Sequence, residues 1–144
     1  METDTFVWKD EYSVGIQLID EQHKIFLQMT NRIIDFSHEE PRVAQKGEEL
    51  IDLLNDFENY ALYHLGTEEE YFKQFHYKDA VVHIATHDHY RDVMKKLFNN
   101  ARQESADVKS MAKEAAEYAG NWLVKHILVM DKGYTKVFIE HGVK

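Results

Sequence analysis

The sequence predicts an all-α protein: an up-down-up-down antiparallel four-helix bundle with an ordered N-terminal arm and a short C-terminal helical tail. One proline (Pro41) and six glycines in 144 residues leave little turn chemistry for a many-stranded β fold. Apolar residues instead recur at three- and four-residue steps along four long stretches, the spacing that covers one face of a helix. Short connections between such stretches favour antiparallel neighbours. The length is that of one domain, 1–144, and a chain of this size buries enough surface to form a core without disulfides.

Residues 1–18 carry Phe6, Trp8, Tyr12, Val14, Ile16 and Leu18 without helical spacing, with Gly15 among them, which predicts an arm lying on the bundle. A first helix over 19–37 puts Ile19, His23, Phe26, Leu27, Thr30, Ile33 and Ile34 on one face. It ends in the Ser37–Pro41 stretch, because proline disfavours helix in the residue before it. The second starts just after Pro41 and runs to Phe75, with Leu50, Leu53, Leu54, Phe57, Tyr60, Ala61, His64, Leu65, Glu68, Tyr71, Phe72 and Phe75 inward. Asp79 is the expected N-cap of a third helix, 80–102, which turns Val82, His83, Thr86, His87, Tyr90, Met94, Leu97 and Phe98 inward. The Thr86 hydroxyl can bond back to a carbonyl of the preceding turn. Asp107 caps a fourth helix, 108–129, carrying Met111, Ala115, Tyr118, Ala119, Trp122, Leu123, His126 and Ile127, and a helical tail follows Lys132.

The composition narrows the function. Without cysteine there is no disulfide scaffold, zinc ribbon, iron–sulfur cluster or thiol nucleophile, so any metal falls to His, Asp or Glu. Acidic residues (26) outnumber basic ones (17), and no Lys/Arg stripe could hold a phosphate backbone, which argues against nucleic acid and anionic membranes as partners. The N-terminus has no apolar leader and no apolar run reaches the roughly 18 residues of a membrane span. The expectation is a soluble, cytoplasmic protein.

The nine histidines divide unevenly. His38, His76, His89 and His141 fall on polar faces, whereas His23, His64, His83, His87 and His126 lie on the apolar stripes, spread over all four helices. Burying five imidazoles is costly unless each finds a partner, and a shared metal supplies all of them together. Glu68 follows His64 by four residues and Asp131 follows His126 by five. Residues four apart share a helix face, so His64/Glu68 and His83/His87 are each aimed at one place. Each spacing alone is common by chance; the signal is seven such groups facing one bundle core, where metals are built in this architecture. Seven N and O ligands exceed one four-coordinate zinc and are too nitrogen-rich for calcium or magnesium, but match two iron or manganese ions bridged by carboxylates. With Glu68 and Asp131 bridging, five His divide three and two, leaving one ion an open position. Five residues of ideal helix rotate about 140°, so a π-type turn or the helix end must re-aim Asp131 toward the metal that His126 faces.

The segments YSVGIQLIDEQHK (12–24), HLGTEEEYF (64–72), HIATH (83–87) and WLVKHILVMDKGY (122–134) resemble a bacterial hemerythrin, and the likeness runs from Trp8 to Tyr134. That resemblance implies a non-haem di-iron centre with an oxo or hydroxo bridge that binds O₂ reversibly. It implies that His83, His87 and His126 hold the filled iron, His23 and His64 the open one, and that Glu68 and Asp131 bridge. It further implies an O₂ pocket lined by Leu65, Trp122, Leu123 and Ile127, with Phe26 adding to it; all five also fit ordinary core packing. Tyr134, three residues after Asp131, is a candidate donor behind the ligands.

A histidine-rich shell favours a carrier over an oxidase, since ferritin-like oxidases use carboxylate-rich shells that stabilise high-valent iron. Oxygen storage, delivery or sensing is therefore the expected function, without catalysis as its purpose. A di-iron oxidase or peroxidase, a nitric-oxide-handling protein and an iron reservoir are the alternatives. Storage, delivery and sensing stay open at this point, as does a protein recipient of the O₂.

Overall fold

The computed structural model describes residues 5–38, 45–103 and 107–144, with the side chains of 45–47 left out. The helices are α1 (Gln17–Ser37), α2 (Gln45–Gln74), α3 (Ala80–Ala101), α4 (Val108–Val129) and the short α5 (Thr135–Glu140), with no strand among the described residues. α1 packs against α2 and α4, and α4 against α3, which closes a four-helix bundle. No helix among these residues is long and apolar enough to cross a membrane. The expected start of the second helix just after Pro41, and residues 1–4 of the arm, lie outside the described residues.

The stripes bury as their spacing predicts. On α1 the buried residues are the seven expected ones plus Gln22 and Ser37. Phe26, Phe57 and Phe98 meet edge to face across α1, α2 and α3, with ring centres 5.0 and 6.3 Å apart, and such pairs add to the stabilisation from burial alone. The α4 seam is built from Ala112, Ala115, Ala116, Ala119 and Gly120, all buried, while Met111, Tyr118 and Trp122 sit half-buried at its shoulders.

Two local expectations need correction. Val82 is 62% exposed rather than inward, because an open groove separates the start of α3 from the end of α4 there. Asp79 occupies the N-cap position of α3 but its side chain accepts no capping hydrogen bond; its ψ of 15° departs from the extended backbone that aims a cap. Asp107 does cap α4, accepting from Ser110 N at 3.3 Å. Thr86 Oγ1 donates to His83 O at 2.6 Å, the backward bond expected of it.

The arm is ordered. Asn31 clasps the Phe6 backbone in both directions, at 2.6 and 2.7 Å, and Asp20 accepts from Ser13 Oγ and Val14 N. The two chain ends meet: Thr135 Oγ1 donates to Val14 O at 2.7 Å, and Leu18 N donates to Lys144 O at 3.0 Å. The Phe6 ring lies over Gly120, where an added Cβ would come within 2.1 Å of it. Gly120→Ala is therefore expected to displace the arm at an overpacking cost of about 1–3 kcal/mol. Limited proteolysis checks this: cleavage before Tyr12 should quicken while helix content holds.

Candidate metal centre

His23 comes from α1, His64 from α2, His83 and His87 from α3 and His126 from α4, and all five are buried. Glu68 lies one turn beyond His64. Asp131 reaches the same space because α4 stops. Met130 N donates to His126 O at 2.7 Å as the last regular turn, and Gly133 N then donates to Met130 O at 3.0 Å as a 3-10 turn (Asp131–Tyr134) begins. The helix end, not a π-type turn, re-aims the carboxylate.

The structure brings all seven predicted ligands together. Their ligand atoms form two overlapping groups, Glu68, His83, His87, His126 and Asp131 in one, and His23, His64, Glu68 and Asp131 in the other, with all atoms of a group within 4.8 Å of one another. Each carboxylate presents one oxygen to each side. Glu68 Oε1 is 3.2 Å from His87 Nε2, while Oε2 is 3.7 Å from His64 Nε2 and 3.9 Å from His23 Nε2. Asp131 Oδ1 is 2.9 Å from Nε2 of both His83 and His126, while Oδ2 is 3.1 Å from His23 Nε2.

These residues fit a metal. Among the described residues, His23 Nε2, His64 Nε2, Glu68 Oε1 and Asp131 Oδ2 are buried without a hydrogen-bond partner, at a cost of about 1–3 kcal/mol for each such group. One cation in each group would give every one of them a partner, and imidazole with carboxylate is a donor set for first-row transition ions.

Behind the ligands stand residues that tie them in place. His64 Nδ1 donates to Gln22 Oε1 at 2.7 Å, His87 Nδ1 donates to Glu69 Oε2 at 2.7 Å, and His126 Nδ1 reaches Thr86 Oγ1 at 3.3 Å. Since the Gln22 and Glu69 oxygens only accept, Nδ1 carries the proton on His64 and His87, and their Nε2 lone pairs face the shared space. Tyr134 donates its hydroxyl to Glu68 Oε2, so the expected donor is in place. Burial, with the adjacent carboxylates, raises its pKa well above the ordinary tyrosine value.

The electrostatics suit bound positive charge. Burial lowers the His64 pKa to about 4 and keeps it neutral. Burial also works to lower His87, but Glu68, 3.2 Å from its Nε2, and Glu69, which accepts from its Nδ1, outweigh it and raise its pKa to about 9. Burial opposes ionisation of Asp131, yet His126, His23 and His83 hold its pKa well below the usual carboxylate value.

Of the five residues expected around the O₂, Leu65, Leu123, Ile127 and Phe26 are fully buried, and the Phe26 ring lies 6.3 Å from that of His64. Trp122 stands over the three-histidine side, stacked on His126 at 4.3 Å and 6.3 Å from His87. His38, His76, His89 and His141 are exposed. Sequence reasoning missed Gln22, Glu69 and Arg91. Gln22 and Glu69 each adjoin a ligand, and Arg91 follows His87 by one turn, so adjacency was the one signal available.

A helical bundle with buried imidazoles and carboxylates gathered in its core defines a class, the metal-binding four-helix bundles. The chain belongs to the hemerythrin family: residues 14–137 match the family described as "Hemerythrin HHE cation binding domain". It is 29% identical over 130 residues to the bacteriohemerythrin of Clostridium acetobutylicum, covering 90% of this chain and 98% of that protein. With the bacteriohemerythrin of Pseudomonas aeruginosa it shares 28% identity over 131 residues, 89% of this chain and 78% of that one. A crystal structure of hemerythrin with one leucine replaced by alanine shares the fold, with a TM-score of 0.74 at 24% identity, covering 92% of this chain and 95% of that one.

Proposed function

We propose that the protein binds O₂ reversibly at two non-haem iron ions, held by His83, His87 and His126 on one side and by His23 and His64 on the other, with Glu68 and Asp131 bridging. The observation that carries this reading is the division of the site, three imidazoles against two, with each carboxylate offering one oxygen to each side. The smaller group leaves an ion one position short. Two iron ions so held would supply the electrons for O₂ binding and recover them on release.

The rest is done by the chain's own residues. Phe26, beside the His64 ring, and the fully buried Leu65, Leu123 and Ile127 give the core around the centre an apolar character, and Trp122 covers His126. Tyr134 holds its hydroxyl proton on Glu68 Oε2. O–O cleavage needs a proton donor, so a histidine-rich site with this tyrosine favours release of O₂ over its reduction. The absence of cysteine suits a cytoplasmic setting.

Visible spectra of the reduced protein, before air, after air and after O₂ is removed again, test this. A carrier gains and loses an absorption band over repeated cycles. Continuous O₂ uptake with an added reductant, faster than autoxidation allows, would make the protein an oxidase instead.

A further inference from the structure

Of the five imidazoles, His87 alone has its outer nitrogen on a carboxylate. His64 faces the neutral amide of Gln22, His126 faces the Thr86 hydroxyl at 3.3 Å, and the Nδ1 atoms of His23 and His83 have no hydrogen-bond partner among the described residues. The carboxylate that His87 meets belongs to Glu69, which is not one of the metal-facing groups.

Glu69 is fixed in turn. Arg91 grips it with both prongs of its guanidinium, Nη1 on Oε2 at 2.8 Å and Nη2 on Oε1 at 3.0 Å. A two-point grip sets the plane of the carboxylate as well as its distance. Arg91 lies one turn after His87 on α3 and is steadied by Asp88 at 3.0 Å, so the chain of contacts runs from the edge of the bundle to the ligand. Both Glu69 and Arg91 are about a quarter exposed, which places their contact at the boundary between core and water. The His87 Nδ1–H itself holds Glu69 Oε2 at 2.7 Å; the guanidinium adds a second partner that sets the carboxylate plane and shares its negative charge.

We propose that Glu69 and Arg91 are a positioning pair that makes His87 the most electron-donating imidazole of the centre, so that the two metal positions favour different oxidation states. This rests on the iron reading above. A carboxylate accepting from the outer N–H of an imidazole gives the ring partial negative character and strengthens its bond to a metal. The three-histidine side then holds ferric iron more firmly than the two-histidine side, where the outer partners are an amide and nothing. Arg91 also moderates the effect, because it draws negative charge from Glu69 while holding it. The two residues therefore act on His87 with opposite sign.

That opposition supplies the test. Glu69→Gln keeps the shape and removes the charge; Arg91→Gln keeps the charge and removes its counterion. Spectroelectrochemical titration of the iron-loaded protein is expected to show the ferrous-to-ferric ratio at fixed potential rising about tenfold in Glu69→Gln, which is about 59 mV for one electron, and falling in Arg91→Gln. Loosened packing would move both variants the same way, and that result, or no shift in either, overturns the proposal. As a second readout, a chelator should extract metal from Glu69→Gln about 10–100-fold more readily than from the parent, the usual cost of losing such a partner; equal extraction overturns the proposal. If Glu69→Gln does not fold, Arg91→Gln decides alone, a lowered ferrous share supporting the pair and an unchanged or raised share overturning it. A parent that holds no iron defeats the O₂-binding reading, while chelator extraction of the metal it does hold still decides on Glu69.

Discussion

Replacing Glu68 by alanine is expected to cost the protein at least one of its two metal ions while leaving it helical. Glu68 belongs to both ligand groups, with one oxygen toward His87 and the other toward His64 and His23. Its loss removes a ligand from each side and leaves the buried Tyr134 hydroxyl without its acceptor, a further cost of about 1–3 kcal/mol. His126→Ala should behave in the same way, since His126 and His83 share Asp131 Oδ1. His89→Ala is the control. His89 is exposed and lies two residues from His87, away from its metal-facing side, so metal content should not change. Elemental analysis of the variants purified side by side, with circular dichroism for helix content, reads the outcome. Full metal retention in Glu68→Ala would contradict the ligand assignment.

Leu123→Ala is expected to shorten greatly the time for which the protein can bind and release O₂. Leu123 lies one turn before His126 on the buried face of α4 and is fully enclosed. In the proposed carrier, a branched apolar side chain there would keep water and protons from bound O₂, which either would otherwise displace in a form already reduced by the iron and unable to return as O₂. Truncation opens a cavity, with a stability cost of ~2–5 kcal/mol if the surroundings do not collapse. Iron content and helicity should match the parent, and the air-exposed spectrum should decay to the oxidised form faster. Equal persistence would make Leu123 ordinary core.

The fold was legible because the helices declare themselves through spacing. Ile19 to Ile34 bury the whole stripe their three- and four-residue steps predict, and Leu50 to Phe72 and Ala115 to Ile127 bury theirs apart from the half-buried Leu53, Tyr60, Tyr71, Tyr118 and Trp122. The buried cluster was legible for the same reason: an imidazole on an apolar stripe is an anomaly visible without coordinates. The break in α4 followed from arithmetic on His126 and Asp131. What stayed hidden depends on contacts between helices. Glu69 sits in a run of three glutamates that reads as a solvated face, and only the approach of α3 turns it toward His87 and Arg91. Gln22 is polar and adjoins the stripe of α1, so its burial against His64 follows from the packing of α2. Val82 fits the periodic pattern but faces the groove between α3 and α4, whose width no single-helix pattern encodes. Asp79 has the right chemistry for a cap and the wrong backbone, a property set by the tight turn that follows Phe72.

The central claim is that five imidazoles and two carboxylates hold a pair of iron ions. Metal analysis of the purified protein tests it most directly. The account predicts two irons per chain. One zinc per chain, or a stably folded protein with no metal, would contradict it.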